Sequence, residues 1–210
     1  MDSTSSRQAA DFAPTPVDSD PAAALASAVQ EYRGTGDLGS LFDRIREIAR
    51  RAAPELLPNA AAPYAEMPEV VIPVYERIVS AQPQNARALV VLANAYWLTG
   101  RGPELVGELA TRALTADPGN RGAWHLWALS ESNVRERVGR WQRVAARFPD
   151  DQLARAALAD NAASLAGAEH DPAALQLAID TYDDLLARAT HPAQRSALES
   201  ALTTLRGWTL

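Results

Sequence analysis

The sequence predicts an all-α chain built from successive antiparallel helix pairs. Three observations predict it. Apolar residues recur at three- and four-residue spacings through most of the 210 residues, which is the period of one helix face. Proline and Asp or Asn residues stand at the ends of those runs, where helices start. One such start, Pro83-Gln84-Asn85-Ala86, returns as Pro118-Gly119-Asn120-Arg121. The chain has no lysine, so all 20 basic residues are arginine, and alanine is abundant. That bias fits a GC-rich bacterial genome, and alanine also favours closely packed helices.

Residues 1–19 mix Ser, Asp, Thr, Pro and Ala with little apolar content and read as a disordered tail. Asp20-Pro21 then supplies an N-cap and a first-turn proline. The helix it opens runs to about Arg33, with Leu25, Val29 and Tyr32 on one face. Gly34-Thr35-Gly36-Asp37-Leu38-Gly39 matches the pattern G-x-G-x-x-G. A dinucleotide site needs a strand before those glycines and a βαβ unit around them. Here a helix precedes them, so the glycines read as a stop and turn, with Asp37 or Ser40 capping the next helix. That second helix spans about Leu38–Ala53, with Leu41, Phe42, Ile45, Ile48 and Ala49 on its apolar stripe and Arg44, Arg46, Arg50 and Arg51 solvated. Pro54 to Met67 contains Pro54, Pro58 and Pro63 and reads as a loop. It is longer than a helix hairpin needs, which makes it a candidate functional loop. Residues 20–67 are therefore assigned to N-terminal helices and a Pro-rich loop, and 68–210 to a helical repeat region.

Pro68 to Ala81 reads as a helix with Val71, Tyr75 and Ile78 inward and Pro73 tightening its first turns. The next helix opens after Pro83 and places Leu89, Leu92, Ala93 and Tyr96 on one face before Gly100 ends it. Its partner carries Val106, Ala110 and Ala113. The following pair starts at Arg121 with Trp124, Trp127 and Ala128, and its second helix, about Val134 to Phe148, carries Val138, Trp141 and Val144. A third pair starts at Gln152, with Leu158 and Ala159 in register, and turns at Asp171-Pro172 into Leu175, Ala178, Ile179, Tyr182 and Leu185. Pro192 opens a last helix, with Leu198, Ala201, Leu202, Leu205 and Trp208, suited to capping a stack.

The units from Ala86 to Phe148 resemble the tetratricopeptide repeat (TPR), a helix pair of about 34 residues. Large, large, small and large residues fall at Leu89, Leu92, Ala93 and Tyr96, where that family has them. The family's usual turn is replaced by Gly100-Arg101-Gly102-Pro103, and the starts Ala86, Arg121, Gln152 and Ala193 are unevenly spaced, so the repeats are degenerate. The resemblance implies a right-handed α-solenoid of TPR hairpins with a C-terminal capping helix. It also implies that the first helix of each pair lines a concave groove. The groove positions are then Arg87, Val90, Val91, Asn94, Trp97 and Leu98, followed by His125, Leu129, Ser132 and Asn133, then Ala156 and Asp160. Family members that clamp acidic tails use basic and Asn residues, of which Asn94 alone is present, with Val90, Leu126 and Ala157 at other clamp positions. The implied groove is apolar and suited to a helix or apolar peptide. Trp97 is its expected aromatic anchor, with packing against a neighbouring helix as the alternative.

Arg137, Arg140, Arg143 and Arg147 share one helix and form a candidate stripe for an acidic partner, or for Asp183-Asp184 of this chain, unless they are simply a solvated face. The net charge of −6 argues against nucleic acid, and no apolar run is long enough to cross a membrane. With no cysteine, disulfides and thiolate chemistry are excluded. His125, His170 and His191 have no metal-spaced partner, and neither H-E-x-x-H, G-x-S-x-G nor a Walker loop is present. No catalytic residue, metal or cofactor is expected. The expected function is a cytoplasmic, non-catalytic protein- or peptide-binding adaptor or accessory subunit. The alternatives are a structural subunit that self-associates or stays bound to an enzyme, and a small-molecule binder using His125 and Asp160.

Overall fold

The computed structural model describes residues 20–209, so the tail expected at 1–19 lies outside the described residues. The chain divides into two compact units, one ending at Ala81 and one beginning at Gln82. Among the described residues both are built from helices and turns, without strands.

The first unit contains α1 (Pro21–Thr35), α2 (Leu38–Arg51), α3 (Leu57–Ala61), a 3-10 turn at Ala62–Tyr64, and α4 (Pro68–Ala81). Asp20 caps α1 by accepting the Ala22 amide at 2.9 Å. Gly36 ends it at φ 72°, with its N–H on the Tyr32 carbonyl at 2.7 Å. A left-handed conformation of this kind costs glycine little. Asp37 then caps α2 by accepting the Ser40 amide at 3.0 Å. The G-x-G-x-x-G stretch is thus a helix stop and restart. Leu25, Leu41, Ile45, Leu57 and Ile78 form the centre of this unit's core.

The segment Pro54–Met67 is not the uninterrupted loop expected from its prolines. Pro58 occupies the first turn of α3, where its missing N–H costs nothing. Leu57, Ala60 and Ala61 are buried, and α3 packs on α1 and α4. The α4 helix, placed at the head of the repeat region from its sequence, packs on α2 and α3 within the first unit.

The second unit contains α5 (Ala86–Leu98), α6 (Pro103–Ala116), α7 (Arg121–Leu129), α8 (Val134–Arg147), α9 (Gln152–Glu169), α10 (Pro172–Arg188) and α11 (Pro192–Arg206). Each helix packs on the next, and α5 also packs on α7, so the chain stacks as successive hairpins. Side chains of Asn85, Asn120, Asn133 and Asp151 each accept the backbone N–H three residues on, at 3.0 to 3.1 Å. Each bond satisfies a donor that the first helical turn leaves unpaired. Small residues at the crossings, including Ala93, Ala110, Ala113, Ala128 and Ala159, are fully buried and let the helices approach closely. Trp141, Val144, Leu158 and Leu165 fill the core further along.

α11 ends at Arg206, so Trp208 lies beyond the helix and rests on Gly167 of α9, where an added Cβ would lie 3.4 Å from its ring. The helix buries Leu202 and Leu205 and exposes most of its other residues, the pattern of an end cap.

Candidate functional site

The packing of α5 on α7 opens a cleft of about 460 Å³ that reaches the start of α9. Gly122 permits this approach: a Cβ there would lie 3.0 Å from Val90 Cγ1. The walls come from Val90, Leu126, Leu129 and Leu153, with Asn94, Arg121, His125, Trp141 and Asp151 completing the lining. Leu153 is 75 % exposed although it lies within the first turn of α9.

Asp151 forms the polar floor and is only 6 % exposed. Its Oδ1 accepts the Ala154 amide at 3.1 Å and caps α9. Its Oδ2 lies 2.8 Å from His125 Nε2 and 3.7 Å from the Arg121 guanidinium. Burial pushes the Asp151 carboxyl up, but the Ala154 amide, the His125 ring and Arg121 outweigh it and hold the carboxyl below its ordinary range. It is therefore a carboxylate at neutral pH and accepts from His125. That ring also packs edge-on against Trp141, with centroids 5.3 Å apart. The indole N–H of Trp141 is buried and has no hydrogen-bond partner among the described residues.

The cleft brings together four of the residues expected in the groove: Val90, Asn94, His125 and Leu129. Arg87 is exposed one turn before Val90 on the same face of α5. Val91 is half-buried, while Trp97 at 39 % and Leu98 at 71 % exposure end α5 without lining the cleft. α7 stops at Leu129, so Ser132 falls in the turn and Asn133 caps α8 by accepting the Glu136 amide. The Asp160 carboxylate accepts the Tyr182 hydroxyl from α10 and so faces the next helix of its own hairpin. Burial, and then the Asp160 contact, raise the Tyr182 hydroxyl well above its usual range.

The arginines of α8 do not form an open stripe. Arg137 donates to Asn161 Oδ1 at 2.6 Å and to the Glu131 carbonyl at 2.8 Å. Arg140 donates to the Trp127 carbonyl at 2.7 Å, pairs with Glu131 at 2.6 Å and lies over the Trp127 ring. Arg143 and Arg147 remain exposed beside Trp127 and Phe148. Asp183 and Asp184 take Arg206, Arg155 and Arg188 instead.

Sequence reasoning did not place Arg121, Gly122, Trp141, Asp151 or Leu153 in the cleft. In the sequence Asp151 stands just before the start at Gln152, where a helix cap is expected, and Trp141 falls with Val138 and Val144 on the apolar face of its helix. No signal along one helix reports which residues of the next hairpin face it across a gap.

Among the described residues no group of three His, Cys, Asp or Glu side chains is arranged to hold a metal ion. No helix there is long and apolar enough to cross a membrane.

No protein-family model and no curated protein matches the chain. Solved structures do. The chain is similar to MamA, with a TM-score of 0.57 at 14 % identity, over 77 % of this chain and 96 % of that one. It is similar to TTC0263, a thermophilic TPR protein of Thermus thermophilus, with a TM-score of 0.53 at 18 % identity, over 87 % of this chain and 99 % of that one. The MamA RS-1 ArsTM double mutant gives a TM-score of 0.53 at 15 % identity, over 87 % and 96 %. The fold is TPR-like.

Proposed function

We propose that the second unit is a non-catalytic interaction module that holds an apolar segment of another protein in the cleft between α5, α7 and the start of α9. The protein then acts as an adaptor or as the accessory subunit of a larger complex. One observation carries this reading: the cleft offers apolar walls to solvent while its buried carboxylate is already satisfied within the chain. An apolar concavity with a few fixed polar groups is the usual form of a binding site, and the TPR-like fold agrees with recognition of an extended or helical segment.

Catalysis finds less support. The His125–Asp151 pair has the geometry of a base with its orienting carboxylate. No hydroxyl, thiol or lysine side chain lines the cleft to serve as the nucleophile. Asp160, the other polar group expected to serve a small-molecule ligand, is committed to Tyr182.

Leu153→Glu tests the reading, because this exposed side chain can change without disturbing the core. A partner captured by the wild-type chain from its native lysate is expected to be lost by the folded variant. A partner retained in full moves the interface elsewhere.

A second reading, self-association, is favoured by a separate apolar surface. Trp97, Leu98 and Leu105 are all exposed around the α5–α6 turn. Light scattering across concentration tests it: a mass that rises for the wild type and stays monomeric for Leu98→Glu supports it. A constant monomer contradicts it.

A further inference from the structure

The charge around the cleft narrows what it accepts, given the peptide-binding reading on which this inference rests. The charged groups lining the cleft are Arg121 and Asp151. They present themselves very differently. The Asp151 side chain is 5 % exposed and its oxygens are taken by Ala154 and His125. The Arg121 side chain is 64 % exposed, 3.7 Å from Asp151 and 5.5 Å above the Phe148 ring. An incoming group therefore meets the cation first. Arg87 adds a second exposed cation beside the same wall, one turn before Val90. Asp150, exposed next to Asp151, does not line the cleft. This basic rim stands on a chain whose net charge is −6, so it is a local feature and not a general one.

We propose that the cleft selects a partner segment in which a large apolar side chain stands beside an aspartate or glutamate. The apolar group enters between Val90, Leu129 and Leu153, and the carboxylate meets Arg121 with Arg87 behind it. Arginine suits this task because its planar fork matches a carboxylate.

A library of random dodecapeptides displayed on phage, selected on the immobilised full chain, tests the proposal. Enriched sequences are expected to place Leu, Ile, Phe or Trp within two positions of Asp or Glu. For the leading synthetic peptide, measured by fluorescence anisotropy, replacing its acidic residue by the amide is expected to weaken binding about tenfold. Arg121→Gln and Arg87→Gln, each with an unchanged circular-dichroism melt, are expected to weaken it too. Apolar peptides without an acidic preference, bound equally by Arg121→Gln, overturn this inference and leave the peptide-binding reading standing. Acidic peptides bound equally by the doubly substituted chain also overturn it. Failure to enrich any peptide over a Leu153→Glu control overturns both.

Discussion

The Asp151 carboxylate joins two helices that are distant in sequence, since one oxygen caps α9 and the other takes His125 of α7. Replacing it with alanine removes a cap, worth about 0.5–2 kcal/mol, and leaves His125 without its acceptor. Urea unfolding of Asp151→Ala is expected to show a loss of about 1–3 kcal/mol. The sign of its pH dependence follows from the depressed folded-state carboxyl. Its contribution is present above the unfolded value of about 3.9 and is lost as pH falls through the lower folded value. The stability gap between wild type and Asp151→Ala is therefore expected to close as pH falls below about 4. A gap that stays open well below that pH contradicts this account. Trp141 is held differently, by packing in the second unit's core. Its replacement by alanine is expected to cost about 3–5 kcal/mol in the same measurement.

At the scale of the helix, starts are set by short polar signals and faces by apolar spacing. Asn120 accepts the Ala123 amide at 3.1 Å at the head of α7, a helix of only 9 residues. Asn120→Ala is expected to cost about 1 kcal/mol, read from the thermal midpoint. These signals made most of the helices legible in the sequence. Asp20-Pro21, Asp171-Pro172 and Pro192 all open helices where expected, because the cap and first-turn proline act within one turn of chain. The α3 helix was not legible. Its 5 residues are too few to show a period, and it exists because Leu57 finds a place in the core. The same difference of range explains the site. Val90, Asn94, His125 and Leu129 follow from the repeat positions that the TPR resemblance implies. Arg121, Asp151 and Leu153 join them through the juxtaposition of one hairpin with the next. Asp160 was assigned to the groove by its repeat position, yet the Tyr182 hydroxyl draws it toward α10.

Across the second unit, stability accumulates hairpin by hairpin, because each helix packs mainly on its neighbours. The last helix closes that series with Leu202 and Leu205. Ion pairs such as Arg206–Asp183 at 2.7 Å join α10 to α11 at the surface, where such pairs contribute little. Deleting residues 192–210 is expected to remove about 3–6 kcal/mol and to raise the binding of a hydrophobic dye. An unchanged melting curve contradicts the capping role. The proposed function places a partner segment in the cleft lined by α5, α7, α8 and the start of α9. Photo-crosslinking tests that claim most directly. Benzoylphenylalanine is placed at Leu153 of the full chain in its native cells, with Gln142 on the exposed side of α8 as control. The account predicts a discrete adduct with a second protein from position 153 and none from position 142. Adducts absent from 153 but formed at 142 would show that the partner sits elsewhere and contradict it.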